Sequence, residues 1–510
     1  MEPYDAFDAI DPFTAATRAF DCLKGALAGP ESAVLSHHEL EDLVGLQGRE
    51  LLRLLFQAHL DLREKREREQ LRQTKDQVVR GADGQVRPHR EVGHSRLLAC
   101  VFGTVTVTRT AWRGKGQTSV HPADAELSLP AGLHSHGLRR LAVLEAVRGS
   151  YDQAKEAIDR SCGKVLGKRQ AELLVVAAAV DIDDFYRCTI PLPSTAATAL
   201  VMQVDGKGVV MRPEALRPAT LKAHLNGRHA LRTRLAPGEK PHRKRMATLA
   251  CVFDTDPAPR RPHDVIAPPE GRSTARTPRP GPRAQRKWLT ASLVHPPEHV
   301  IAAAFDQAEA RDRDHLRRWV VLVDGARHQL ESIRAEADRR HIKVHVLLDF
   351  VHVAEYVWAA AHCLHKPGTP DAEFWVAGHL TTILHGQADR AAAEIMAEAD
   401  RARLHGTRRE GADACVRYLT GHLDQLRYDT ALAAGWPIAT GPIEGACRHL
   451  IGDRLDITGS RWGLDGAEAV LTLRALIDNG DLAAYWRHHL AREHERLYPT
   501  PDQHNYDLTA

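Results

Sequence analysis

The chain lacks most of the features that would place it outside the ordinary globular proteins. Aromatic residues make up only 5% of its 510 residues. No apolar run approaches the roughly 18 residues of a membrane-crossing helix, and the longest candidate, Val175-Val176-Ala177-Ala178-Ala179-Val180, ends at Asp181. The first residues, Met1-Glu2-Pro3-Tyr4-Asp5, lack the basic-then-apolar pattern of a secretory signal, so a cytoplasmic protein with no membrane partner is expected. The eight cysteines (Cys22, Cys100, Cys162, Cys188, Cys251, Cys363, Cys415 and Cys447) contain no C-x-x-C pair. That argues against a zinc ribbon and against a disulfide framework, and leaves reduced thiols acting as small core residues. Charge of one sign is missing too: 69 basic residues face 66 acidic ones, for a net charge of +3.

What is present is a folding composition. The chain is 43% hydrophobic and 26% charged, which excludes a mostly disordered protein, and its length calls for two to four domains. The near-neutral total hides local imbalance, with eight basic and two acidic residues between Arg260 and Lys287. A polyanion partner is compatible with such a stretch.

From about His38 the pattern turns helical, with Leu51, Leu55, Ala58 and Leu62 on one face. The run Arg63-Glu64-Lys65-Arg66-Glu67-Arg68-Glu69 reads as a solvated continuation laced with ion pairs. Gly81-Ala82-Asp83-Gly84 breaks it, and Val101 to Thr110 alternates as a strand or hairpin with Val105 and Val107 on one side. Residues 137–180 read as three short helices of helix-turn-helix proportions, with Lys164, Lys168 and Arg169 at the start of the third, where a recognition helix meets DNA. The same pattern is common in bundles that touch no DNA.

After Ala199 the pattern changes to three apolar strands, a helix, a strand, a helix and a strand, read as one mixed sheet with helices on its faces. Residues 257–282 hold eight of the 28 prolines and read as a flexible loop. From Asp371 to about Ala434 the chain reads as all helical.

Three apolar strands run into aspartates, at Asp205, Asp324 and Asp349. In sheets with parallel strands, ligands gather at the strands' carboxyl ends. Adjacent carboxylates repel unless a cation neutralises them, and Mg²⁺ suits oxygen ligands of this kind. A third acid, Glu444 in Gly441-Pro442-Ile443-Glu444-Gly445-Ala446, completes the set needed for two-metal phosphoryl transfer. Each acid alone has a bland reading as a turn or a helix cap. The order strand–Asp, strand–Asp, helical insertion, helix–Glu is the specific feature.

With these motifs the chain resembles the DDE transposases, and most closely the Kra-type group of bacterial insertion sequences, related to the Mutator-like superfamily. The blocks that carry the resemblance are Val204-Asp205-Gly206-Lys207-Gly208-Val209, Gly238-Glu239-Lys240 leading to Lys244-Arg245-Met246-Ala247-Thr248, and Val323-Asp324-Gly325-Ala326. They continue with Leu348-Asp349-Phe350-Val351-His352-Val353-Ala354-Glu355, then Gly441 to Ala446, then Gly459-Ser460-Arg461-Trp462-Gly463 running to Glu468 and Leu473-Arg474-Ala475. The resemblance spans about residues 95–490.

The resemblance implies an α/β protein with an RNase H-like mixed-sheet catalytic core and a helical insertion, preceded by a mainly helical N-terminal region containing a helix-turn-helix. The expected divisions are 1–92 (N-terminal helical region) and 93–190 (hairpin and DNA-binding region). The core follows over 195–370, with its flexible loop at 255–287, then the insertion at 371–434, the final core helices at 435–490 and a tail at 491–510. Asp205, Asp324 and Glu444 become the catalytic triad and the ligands of two Mg²⁺ ions, replaceable by Mn²⁺. His352 becomes a catalytic-site histidine and Asp349 its supporting acid, although spacing alone makes His352 a core histidine bonded to Asp349.

The implied partner is double-stranded DNA, both element ends and target, engaged by an oligomer of this chain at the nucleoid. Expected DNA contacts are Lys164, Lys168, Arg169, Lys207, Arg243, Lys244, Arg245, Arg461 and Trp462. The basic cluster also takes in Arg232, Arg234 and Lys240. The second Asp block, Ala326-Arg327-His328, departs from the tryptophan-containing form of the group, and no cysteine pair provides its N-terminal zinc module. The competing expectations are a transposase-derived DNA-binding protein that no longer cuts, and an RNase H-fold nuclease.

Overall fold

The structure, a computed structural model, describes residues 11–74, 78–192, 195–227, 243–267, 277–504 and 506. They divide into two compact units, one running to Arg187 and resuming at Leu482, the other spanning Cys188–Asp481. All eight cysteines are free thiols. No described helix is long and apolar enough to cross a membrane.

In the first unit, helix α1 (Thr14–Ala28) precedes α2 (His37–Gln73). Ser36 starts α2 through a capping box, its backbone N–H donating to the Glu39 carboxylate at 2.8 Å. The hairpin of β1 (His89–Cys100) and β2 (Gly103–Arg113) lays Val105 and Val107 against Leu60 of α2 and Leu98, as their alternation predicts. The charged run is not wholly solvated. Glu67 is 1% exposed and accepts hydrogen bonds from the Thr110 N–H (2.9 Å) and the Tyr506 hydroxyl (2.8 Å). Burial raises its pKa. A charge in a helix reads as solvated from sequence because its partners lie 43 and 439 residues away.

Helices α3 (His136–Arg148), α4 (Tyr151–Cys162) and α5 (Lys168–Ala177) pack around Leu138, Ala142, Ile158, Cys162, Leu166 and Ala171. The helix Leu482–Leu497 belongs to this unit and not to the second. Its Tyr485 hydroxyl donates to the Ala178 carbonyl, and His489 and Arg496 hold Asp181 at 2.6 and 2.7 Å. The residues expected as the last core helix and a tail are therefore divided at Leu482.

The second unit is built on a five-stranded mixed sheet. Its strands are β3 (Ala199–Val210), β4 (Lys244–Thr255), β5 (Gln285–Ser292), β6 (Trp319–Val323) and β7 (Val344–Leu348), in the spatial order β5-β4-β3-β6-β7. The first three pair antiparallel, while β6 and β7 run parallel to β3. Helices α6 (Pro297–Arg311) and α7 (Arg327–Arg339) connect β5 to β6 and β6 to β7. The periodicity suggests a longer α6, to about Arg318. The helix stops at Arg311 because the Asp312 carboxylate turns the chain, accepting from the N–H groups of Leu316 and Arg317 and from the Trp319 indole.

From β7 the chain enters α8 (Phe350–Leu364) and then the all-helical stretch α9 (Pro370–Leu384), α10 (Ala388–Arg401), α11 (Glu410–Gly421) and α12 (Tyr428–Ala434). It returns to the sheet with α13 (Gly441–Ala446), a π-helical turn at Cys447–Gly452, and α14 (Leu464–Asp478).

Candidate functional site

The apolar run ends at Asp205, but the strand does not: β3 continues to Val210, paired with β4. What ends there is the parallel pairing, whose last register pair is Gln203 with Leu322. Asp205 therefore lies two residues beyond that pair on β3, and Asp324 two beyond it on the neighbouring strand's exit. Asp349 directly follows Leu348, the last residue of β7 to pair. All three aspartates thus lie at the carboxyl end of the parallel strands.

Each is fixed differently. Asp205 is half-buried; its Oδ1 accepts from the Gly206 N–H at 2.6 Å and its Oδ2 from the Cys447 thiol at 3.3 Å. Asp324 closes a turn by accepting from the Ala326 N–H at 3.0 Å. The Asp324 carbonyl accepts from the Tyr418 hydroxyl of α11 at 2.8 Å. Gly325 follows with φ +95°, and a side chain there would meet Leu348 and the Tyr418 hydroxyl, each 3.3 Å from its Cβ. Asp349, 4% exposed, caps α8 through the N–H groups of Val351 and His352 and also accepts from the Thr440 N–H at 3.0 Å. Asp349 thereby links the end of β7 to the start of α13.

Glu444 projects from α13, whose Pro442 needs no N–H at that position. The side chain is exposed, yet its pKa is raised, first by partial desolvation and then by the negative charges of Asp349, Asp205 and Glu355. These acids therefore share one field. Separately, burial, Tyr356 and the charges of Asp324 and Asp349 raise the Tyr418 pKa. Among the described residues no group of three or more His, Cys, Asp or Glu side chains converges closely enough to hold a metal ion. The oxygen donors and their mutual repulsion suit a hard divalent cation; among the described residues they do not form a preassembled three-ligand cradle.

His352 is not a core histidine. It is half-exposed, its backbone N–H donates to Asp349 at 3.1 Å, and its ring pairs with Glu355 at 3.2 Å. It sits edge-on to Tyr356 and Tyr418, which stack on each other with centroids 4.1 Å apart.

The expected DNA contacts fall into two groups. Lys164, Lys168, Arg169 and Arg461 are exposed, although Lys168 is paired with Asp152 and Arg169 with Glu172, each at 2.6 Å. Lys207 and Arg243 are half-buried. Lys244 pairs with Asp456 at 3.3 Å. Arg245 spends its guanidinium on the carbonyls of Leu293 and Ala215. Trp462 is 7% exposed, its indole N–H donates to Leu455 and its backbone pairs with Met211 at the end of β3. Both Arg245 and Trp462 are placed as fasteners of the sheet rather than as surface contacts. Arg232, Arg234 and Lys240 lie outside the described residues, as does 268–276 of the Pro/Arg-rich loop.

Sequence reasoning missed three residues of the site. Gln203, fully buried, donates to the Ala439 carbonyl at 3.2 Å and accepts from the Ile443 N–H at 3.0 Å. Its signal is a lone amide in the apolar run Leu200-Val201-Met202-Gln203-Val204. Cys447 lies one turn after Glu444, a readable spacing. Tyr418, on a helix remote in sequence, carries no signal. Compared with known proteins, the chain matches no family model and no curated protein.

Proposed function

We propose that this chain is a DDE-type transposase with an RNase H-like catalytic core, which binds the terminal repeats of a bacterial insertion sequence and catalyses DNA end cleavage and strand transfer. The observation that carries the reading is the arrangement of acids. Asp205 and Asp324 lie at the carboxyl ends of neighbouring parallel strands in a β5-β4-β3-β6-β7 sheet. Glu444 comes within the field of Asp205 and Asp349 on a helix that follows a helical insertion and is fastened to β3 through Gln203.

Asp205, Asp324 and Glu444 are the residues that would hold divalent cations, two Mg²⁺ or Mn²⁺ on this reading. When bound, such ions supply an activated water and stabilise the leaving 3′ oxygen. The chain's own part is positional: Gly206 and Cys447 orient Asp205, Tyr418 fixes the backbone at Asp324, and Asp349 with Gln203 sets the helix of Glu444. The exposed Lys164, Lys168 and Arg169 around the start of α5 serve recognition of the ends in a helix-turn-helix reading of α3–α5, and two ends require an oligomer of this chain at the nucleoid.

The test is an end-cleavage and strand-transfer assay on labelled duplexes taken from the DNA on either side of the coding sequence, with Mg²⁺. Wild type nicking at a defined end, with Glu444→Gln binding but not nicking, supports the reading. One alternative is a transposase-derived DNA-binding protein that no longer cuts. Binding by both proteins with cleavage by neither selects that alternative, and cleavage of RNA–DNA hybrids alone selects a nuclease.

A further inference from the structure

The apolar face of α2 is only half covered. Ala58 and Leu62 are buried, but toward the N-terminus the same helix leaves Val44, Leu52 and Leu55 at 42%, 47% and 40% exposure. Val44 and Leu52 line an open groove of about 890 Å³ whose far wall holds Val101, Phe102 and Leu141. Exposed apolar side chains scattered singly are ordinary, whereas a row of them beside a groove marks a docking surface.

Two glycines lie within this row. Gly45 and Gly48 weaken the interior of α2, and no described atom lies within 4 Å of a Cβ built on either. The chain's own packing therefore gives no reason for glycine at these positions. A second backbone lying close against them does.

The spacing identifies that backbone. Val44 and Leu52 stand four residues before and four after Gly48. A two-fold axis at Gly48 lays two copies of α2 antiparallel, with Val44 of each protomer on Leu52 of its partner and the glycines at the crossing. Charge follows the same symmetry. Glu41 and Asp42 line the groove before Gly48, and Arg49 lines it after. Arg49 donates to the carbonyls of Arg160 and Ser161, each at 3.2 Å, and has no ion pair among the described residues. Antiparallel docking carries the acidic end of one helix toward the unneutralised arginine of the other.

We propose that α2 is a self-association surface, through which two copies of this chain pair antiparallel across Val44, Gly48 and Leu52. Self-association is measured without DNA, and only its purpose, holding two DNA ends together, rests on the DNA-processing reading above.

Sedimentation equilibrium of the full chain without DNA compares wild type, Val44→Glu, Leu52→Lys, an equimolar mixture of these two variants, and Leu173→Glu. The last alters a leucine of α5 that is 55% exposed. Wild type is a dimer at micromolar concentration. The homodimer of either α2 variant buries two unpaired charges, each costing about tenfold or more, so association weakens about 100-fold. In the mixture the introduced carboxylate of one protomer faces the introduced ammonium of its partner, the other Val44–Leu52 contact is intact, and dimers return. Leu173→Glu associates like wild type, and circular dichroism of all three variants matches wild type because the altered side chains are exposed. A monomeric wild type, α2 variants that dimerise as well as wild type, an equal loss in Leu173→Glu, or a mixture that stays monomeric overturns the α2 contact. End cleavage by wild type in any of those cases leaves the transposase reading standing. A wild type that dimerises in this pattern but neither binds nor cuts DNA overturns that reading and leaves the contact.

Discussion

Gln203 and Ile443 stand 240 residues apart in sequence and are joined by a 3.0 Å hydrogen bond from the Ile443 N–H to the Gln203 side-chain oxygen. With the Gln203 amide donating to Ala439, one side chain holds both ends of the turn that delivers Glu444 to the strand bearing Asp205.

Gln203→Leu keeps the size and removes both bonds. It leaves the Ile443 N–H without its partner in a buried setting, at a cost of about 1–3 kcal/mol. Urea unfolding of the variant gives the number, and on the proposed transposase reading end cleavage falls with it because the Glu444 helix loses its anchor. A variant as stable and as active as wild type removes Gln203 from the site.

Asp349 separates capping from charge. Asp349→Asn keeps one oxygen to accept from Val351 and Thr440 but sets its amide NH2 against the His352 N–H, so it is less stable than wild type and more stable than Asp349→Ala. Asp349→Ala loses the cap, at about 0.5–2 kcal/mol, and strands the Thr440 N–H as well. Chemical denaturation of the pair checks the ordering. Equal stability of the two variants would show that the cap contributes nothing.

Glu444 predicts a pH dependence. Its folded-state pKa lies above the ordinary 4.5. A carboxyl raised on folding stabilises the fold fully below its unfolded value, and this contribution is lost as pH rises from 4.5 through the folded value. In chelator, Glu444→Gln is therefore at least as stable as wild type at pH 7, and its advantage fades as pH falls toward 4.5. Divalent cation reverses the order at pH 7 by stabilising wild type more than the variant. Thermal midpoints at the two pH values, with and without Mn²⁺, read both effects. A variant less stable than wild type in chelator at pH 7 contradicts the repulsion.

Asp181 anchors the C-terminal helix of the first unit. Burial raises its pKa, but Arg496 and His489 outweigh burial and hold it below the usual carboxylate value. Asp181→Asn leaves both partners facing a neutral group, and since Arg496 is half-exposed and stays solvated the cost is that of a lost charge-assisted hydrogen bond, about 1.5–3 kcal/mol. Protease cleavage within Leu482–Leu497 at native conditions rises in the variant, and truncation at Asp481 exposes the same unit.

The sequence by itself determined the strands and the chemistry of their ends. Trp319–Val323 and Val344–Leu348 form strands because each is a run rich in β-branched and apolar residues flanked by polar ones. The acids were legible because each follows such a run, and the all-helical stretch between them was legible from its periodicity. Tertiary structure decided what those residues touch. It placed Glu67 in the interior, retired Arg245 and Trp462 to the sheet, and moved Leu482–Leu497 into the first unit. Local pattern fixes backbone conformation because helix and strand periods are properties of a few consecutive residues. Burial, pairing and pKa depend on neighbours tens to hundreds of residues distant, and only the folded chain brings those together.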